Sequence, residues 1–329
     1  MKPPTNVVVI ANERSFDSRQ IAKKYGDAYS LPAKQRINIQ CASSEEVPLN
    51  EYRRNIENAV FQHLRKHDLY ETVDYLVLTK GIPIRIREGG FSVDAALMVA
   101  PMRLPFRRGV TEWHFNPFFD SKGAFSRKKT GFHLATRLDG YLADHAIRLV
   151  DNSKKAKQKK GIFMLDQDPT RKGGSYDLVN SSMQSAARLL KQKGFEVIFD
   201  QTKDFLGDRG DLMGYYSWGS NDAHFAQARY RRLRFYPGAI AETAVSTSAR
   251  TFKRTDQGQS LIADLIESGV TGVKGYVSEP YAEALCRAAI LFERYTAGRN
   301  LAESFYAASP FLLWKDLVIG DPLCAPFAK

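Results

Sequence analysis

Six short runs of hydroxyls, amides and charged groups are where this chain could do chemistry. They are Asn12-Glu13, Lys80-Gly81, Asp166-Gln167-Asp168, Ser217-Trp218-Gly219-Ser220-Asn221-Asp222, Ser246-Thr247-Ser248-Ala249-Arg250 and Ser278-Glu279. Ser246, with His224 and Asp222 ahead of it, supplies the residue types of a nucleophile, a base and an orienting acid, so a serine-type hydrolase can be drawn. The chain has no Gly-x-Ser-x-Gly elbow to present that serine. A related alternative is a water activated by Asp222, with backbone amides near Gly219 stabilising an oxyanion. A binding pocket needs fewer coincidences. Trp218 would form an apolar wall, Gly219, Ser220, Asn221, Asp222, Ser246 and Ser248 would surround the ligand with polar groups, and Glu242 and Arg250 would supply charge. Arg250 would then pair with an acidic group of the ligand. Ser246 bonded to His224, with a carboxylate behind the imidazole, would favour the enzyme. Divergence of those side chains, with Glu242 paired to Arg250, would favour binding.

Metal chemistry has thinner support. Asp166 and Asp168 close one apolar run and Asp321 follows the last, as carboxylates that hold a divalent cation often do. No Gly-x-x-x-x-Gly-Lys accompanies them, so a nucleotide-metal site lacks its phosphate cradle, and no cofactor is expected. His63 and His67 share a helical spacing without a third ligand, and a solvated helix face accounts for them. Cys41, Cys286 and Cys324 are too few and too scattered for a disulfide framework or a zinc knuckle, which suits a reducing compartment.

The elements that must position these groups follow from periodicity. Apolar, β-branched runs at 7–11, 37–41 and 75–79 read as buried strands, with helical stripes through Ile21 and Tyr25 and through Tyr52, Ile56, Val60 and Leu64 between them. That order, strand and helix in alternation, implies a parallel sheet. Over 80–136 the periodicity gives way to Pro, Gly, Arg and aromatic residues, and an excursion this long is expected to cover a sheet edge or cleft. A helix is predicted over 139–150. The lysine run at 154–160 then reads as a linker between an α/β subdomain at 1–153 and a second at 161–329. In the second half, strands are predicted at 162–165, 196–199, 212–217, 239–245, 273–277 and 317–319. Helices are predicted through Leu178, Met183, Ala187 and Leu190, over 259–268 and 282–297, and after Asn300. The fold class is therefore α/β with two doubly wound, Rossmann-like halves, whose ligand sites are expected beyond the carboxyl ends of the strands.

Several long segments carry a resemblance. Thr79-Lys80-Gly81-Ile82-Pro83, Ser92-Val93-Asp94-Ala95-Ala96-Leu97, Thr136-Arg137-Leu138-Asp139-Gly140 and the run 217–222 resemble a bacterial family without assigned function, as do 246–252, 258–264, 275–280 and 320–327. That family is distantly similar to gingipain-type and caspase-like cysteine peptidases, which implies two adjoining α/β subdomains, the second caspase-like. Such peptidases place His-Gly after one central strand and Cys after the next, so that the imidazole assists the thiolate. Here the matching positions are Trp218-Gly219 and 243–246, without histidine or cysteine. The resemblance thus implies the fold without the Cys-His dyad.

The chain has 329 residues, 43% of them hydrophobic, and a formal net charge of +12, which raises nucleic acid as a partner. The charge is segmental: about +6, +5 and +6 fall in 103–137, 148–172 and 229–254, leaving the remainder net acidic. In 229–236, arginines alternate with Tyr230, Leu233, Phe235 and Tyr236, and an amphipathic segment with its aromatics in the core explains the pattern without nucleic acid. No zinc-finger, RRM or helix-turn-helix signature supports nucleic-acid readout. No apolar run is long enough to span a membrane. The chain as it stands reads as cytoplasmic, and as exported if a leader was removed ahead of it. The sequence leaves the oligomeric state open. The leading expectation is a non-proteolytic, peptidase-derived protein that binds a peptide, protein or small acidic ligand. The alternative is a hydrolase acting through Ser246 or an activated water on a peptide, amide or ester.

Overall fold

The computed structural model describes residues 3–106, 114–158 and 161–328. Fifteen strands occur among them: β1 (Val7–Asn12), β2 (Arg36–Ile39), β3 (Glu46–Val47), β4 (Tyr75–Thr79), β5 (Arg85–Ile86), β6 (Phe91–Ser92), β7 (His114–Phe115), β8 (Leu134–Leu138), β9 (Ile162–Asp166), β10 (Val197–Asp200), β11 (Leu212–Ser217), β12 (Phe235–Thr243), β13 (Gly272–Tyr276), β14 (Phe311–Leu312) and β15 (Asp316–Gly320). Ten build one continuous sheet in the order β10-β9-β11-β12-β13-β15-β8-β4-β1-β2. Most of them are buried on both faces, which is why they read as unbroken apolar runs rather than alternating ones.

The sheet consists of two parallel sets that run in the same direction, with one reversed strand, β15, between them. They meet at β15, which pairs antiparallel with β13, with Gly272 opposite Gly320 and Tyr276 opposite Asp316, and lies beside β8 on its other side. The last strand of the chain therefore joins the halves. The carboxyl ends of β1, β4 and β8 and those of β9, β11, β12 and β13 open at the same edge of the sheet, where Arg85 beyond β4 donates to the Val277 carbonyl beyond β13 and Thr251 beyond β12 donates to Glu45 beyond β2. Helices flank the sheet. The helix Ser175–Gln192 packs with Ala288–Thr296, and Phe16–Ala28 packs with Ala143–Lys155. The latter helix extends through Lys155, so the lysine run starts inside its last turn, where cations complement the carbonyl end; Lys159 and Lys160 lie outside the described residues.

Two differences from the sequence reading have clear physical causes. Residues 134–136 belong to β8, a central strand, not to the excursion. The excursion itself contains the buried helix Val93–Val99 and is fastened to the sheet through β8. Arg137 on that strand is fully buried. Its Nη2 donates to Asp94 Oδ1 at 2.5 Å and to the Pro83 carbonyl at 2.9 Å, and its Nη1 donates to the Ile82 carbonyl at 2.7 Å. Lys80 meets Asp139 at 3.2 Å beside it. Three of the recognisable segments, those around Lys80, Asp94 and Arg137, are thus one buried ionic cluster. Burial pushes the Asp94 carboxyl up, and the adjacent guanidinium opposes that push.

The polar runs at the ends of β1 and β4, candidates for chemistry in the sequence, pack against each other. Asn12 donates from its amide to the carbonyls of Gly81 at 2.8 Å and Cys41 at 3.2 Å, and the hydroxyls of Ser18 and Thr79 lie 2.6 Å apart. Gly81 has a φ of +89°, and a Cβ there would collide with Ser15. The first polar strand ends are therefore packed interior, and the open crevice lies farther along the same edge, beyond the second set.

Candidate functional site

The chain passes from β9 outward to β10 and returns across β9 to β11, so the switch point of the second set lies at the carboxyl ends of β9 and β11. Beyond those ends lies a cleft of about 510 Å³. After β11 the backbone turns sharply at Trp218 and Gly219. Gly219 has a φ of +49°, and a Cβ on it would come within 2.7 Å of Val245 Cγ2, so the turn requires glycine. Trp218 is buried. Its Nε1 donates to Asn180 Oδ1 at 2.9 Å, and its ring meets Tyr176 edge to face at 5.4 Å. Both rings line the cleft, together with Asn221, Ala244 and Ser246 from the ends of β11 and β12. Arg171 and Ser175 come from the connection after β9, and Glu279, Tyr281 and Glu283 from the segment after β13.

The loops that hold this cleft are meshed by amide side chains. Asn221 donates to the Ala244 carbonyl at 2.7 Å and accepts from Gln259 at 2.9 Å, and Gln259 in turn accepts from the Thr247 amide and hydroxyl at 3.0 and 2.7 Å. The Ser260 amide donates to Ser220 Oγ at 2.8 Å. The segments 217–222, 244–250 and 257–260 therefore position one another, which accounts for the Ser, Thr, Asn and Gln they share. Of these groups, the sequence reading assigns Ser220 and Asn221 to the ligand.

The predicted residues separate into three groups. Trp218, Asn221 and Ser246 reach the cleft, and the Ser246 hydroxyl has no hydrogen-bond partner among the described residues. Gly219, Ser220 and Asp222 shape and brace the turn behind it. Ser248 and Glu242 lie inside the fold, Ser248 accepting from the Tyr276 amide at 3.3 Å. Arg250 was expected to meet an acidic ligand group, but its guanidinium donates to the backbone carbonyls of Thr247, Gln257 and Gln259. Glu242 does not pair with it. Nor does the triad assemble: His224 is exposed, its amide donates to Asp222 Oδ1 at 2.6 Å, and no hydrogen bond joins it to Ser246. Neither of the two discriminating arrangements is present.

Other candidate chemistry is similarly accounted for. Asp168 accepts from the Thr170 amide and hydroxyl at 2.8 Å, and Asp166 accepts from the Leu206 amide at 3.0 Å. Burial pushes the Asp166 carboxyl up to about 7, with nearby Asp222 and Asp200 adding to the shift and the Leu206 amide opposing it. Asp321 is at the opposite edge, bonded to Tyr25, Tyr29 and Ser153. Among the described residues no three His, Cys, Asp or Glu converge as a metal site. All three cysteines are buried, and burial pushes the thiols of Cys41 and Cys324 up to about 12 and that of Cys286 well above its ordinary value. A thiolate nucleophile needs the opposite environment.

Three of the four arginines in the basic segment at 229–236 are paired internally, and Arg234 donates to backbone carbonyls. Arg229 and Arg232 share Asp208, and Arg231 reaches Asp256 at 3.1 Å and Asp264 at 3.2 Å, while Tyr230 and Leu233 are fully buried. The amphipathic reading of this segment accounts for it.

Arg171, Tyr176 and the segment from Tyr281 to Glu283 are cleft residues that sequence reasoning did not single out. Tyr281 has φ 62° and ψ 152°, a backbone region populated essentially by glycine, yet it carries a ring that is 46% exposed at the cleft. Glu279 Oε1 accepts the Tyr281 amide at 2.8 Å and helps hold that conformation. Two signals were available in the sequence: the pair Gly173-Gly174 leading into a helix after a strand end, and Pro280 ahead of an aromatic residue.

No family model matches the chain, and no curated protein matches it by sequence. Solved structures do match its fold. The complex of the Porphyromonas gingivalis RgpB pro- and mature domains superposes with a TM-score of 0.60 at 11% identity, covering 97% of this chain and 79% of that one. A second structure, described only as a protease, gives a TM-score of 0.50 at 9% identity, covering 98% of this chain and 78% of that one. The gingipain-like α/β architecture is therefore shown. At these identities the likeness concerns the fold alone.

Proposed function

We propose that this chain is a non-proteolytic binding protein on a peptidase fold, and that it holds a short peptide in the cleft beyond β11 and β12. The observation that carries the reading is the composition of that cleft. Aromatic rings, charges of both signs and a free hydroxyl converge where the strands end, while the described residues lining it include no imidazole and no thiol. Mixed apolar walls with a few polar anchors are what a small-ligand pocket requires, and the volume falls within the ~300–1,000 Å³ usual for one. A peptide offers apolar side chains for Trp218 and Tyr176 and backbone groups for Ser246. The acidic-ligand reading loses Arg250, whose donors are already used by the backbone.

One observation favours the second reading, a hydrolase of altered mechanism: the Ser246 hydroxyl is open to the cleft. It lacks a base, because His224 points elsewhere and Asp222 is taken up in bracing the turn.

Retention of a mixed short-peptide library on the immobilised protein tests the binding reading. Ser246→Tyr, at a half-buried position lining the cleft, should obstruct the site and lower retention at least tenfold without moving the thermal midpoint. Retention equal to wild type would place binding elsewhere and overturn the assignment.

A further inference from the structure

Resting on the peptide-binding reading, the cleft has a charge pattern that narrows the ligand further. Arg171 donates through Nε to the Asn221 carbonyl at 2.6 Å, and that nitrogen lies 3.8 Å from Asp168 Oδ2, so the guanidinium is fixed in direction by its inner edge. Both Asp168 oxygens are already occupied by Thr170. The terminal Nη1 and Nη2 have no hydrogen-bond partner among the described residues. A guanidinium held this way presents a planar two-donor fork, the geometry that matches a carboxylate.

The acidic groups of the same cleft come from a different segment, the one that follows β13. Glu283 accepts the Ser175 hydroxyl on one oxygen, and Glu279 accepts the Tyr281 amide on one oxygen, leaving each with a second oxygen free to accept. Tyr281, in its strained conformation, stands between them in sequence with an exposed ring. The cleft is therefore bipolar: one oriented cation comes from the 168–176 connection and two carboxylates from the 279–285 segment, with Trp218, Ala244 and Ser246 also lining it. A ligand of single charge would leave one of these groups unmatched. A dicarboxylate would face Glu279 and Glu283 with like charge, and a diamine would leave the Arg171 fork empty.

We infer that the cleft takes a short peptide with both termini free, its α-carboxylate on the Arg171 fork and its α-ammonium toward Glu279 and Glu283. An interior stretch of a longer chain carries neither terminal charge, so the inference assigns the site to small peptides of a few residues.

The test is calorimetric titration of trialanine in four forms: both ends free, N-acetylated, C-amidated and doubly blocked. The free form should bind at least tenfold more tightly than the amidated form, and the acetylated form should be weakened as well. In Arg171→Gln the free and amidated forms should bind alike, and Arg171→Lys should restore part of the difference. Glu279→Gln/Glu283→Gln should do the same for the free and acetylated forms. Equal binding of all four forms by the wild type overturns the inference while leaving the peptide reading intact. So does failure of free trialanine to bind when the library is retained. Failure of both overturns the inference and the peptide reading together. If the Arg171 variants unfold, the comparison of the four forms on the wild type decides alone.

Discussion

Asp94→Ala is expected to destabilise the fold by about 3–5 kcal/mol, the cost of leaving a buried guanidinium without its carboxylate. Arg137 has no solvent exposure and no means of neutralising itself, since its pKa stays above any accessible pH. Arg137→Met should cost a comparable amount for a different reason. It leaves Asp94 able to take up a proton and become neutral, although the carbonyls of Ile82 and Pro83 lose donors at about 1–3 kcal/mol each. The double variant should be more stable than Asp94→Ala alone, because the uncompensated charge is gone. Urea unfolding followed by circular dichroism measures all three. A domain typically has only about 5–15 kcal/mol of stability to lose, so the single change consumes a large share of it. If Asp94→Ala unfolds with the wild-type midpoint, the cluster does not hold the excursion to β8.

The second large effect is a pH dependence. Glu242 is fully buried on β12, and neither of its oxygens meets hydrogen-bond geometry with a described group. The nearby Lys274 donates instead to Ser309 at 2.7 Å and lies 3.4 Å from Asp316. Burial pushes the Glu242 carboxyl up to about 8, with the Lys274 charge opposing the shift. An unfolded glutamate titrates near ~4.3. Between roughly that pH and about 8 the folded protein therefore holds a proton that the unfolded chain has released. This group's effect on stability is absent at low pH and becomes unfavourable as pH rises through that window, by up to ~1.4 kcal/mol per pH unit. Glu242→Gln copies the protonated form without titrating. It should match the wild type near pH 4 and exceed it by a few kcal/mol at pH 8. A difference between the two that does not change with pH would mean that Glu242 is ionised in the folded state. Asp166 acts in the same direction, so only the difference between the two proteins isolates Glu242.

The strands of this sheet were readable where burial on both faces leaves an unbroken apolar run, as in Val7–Asn12 and Leu212–Ser217. β8 was not readable, because Thr136 and Arg137 interrupt its apolar character. Arg137 is tolerated there only through Asp94, forty-three residues earlier. The reversed strand between the halves was also hidden. It is β15, which enters between β13 and β8, a pairing across most of the chain that no local pattern encodes.

The site shows the same division. Loops at strand ends were legible as polar clusters, but which of their groups face a ligand is decided by partners distant in sequence. Gln259 consumes the free donors and acceptors of Asn221 and Thr247, and three carbonyls consume Arg250. Arg171 becomes available because Asn221 orients it from fifty residues away. The Tyr281 conformation has no sequence signature beyond the proline before it.

The function proposed for this chain is binding of peptides without cutting them. Mass spectrometry of a defined short-peptide mixture after prolonged incubation with wild type and with Ser246→Ala tests it most directly. Both proteins are expected to retain peptides, and every peptide is expected to be recovered at its original mass. Cleavage by the wild type that disappears in Ser246→Ala would contradict it and establish the serine as a nucleophile.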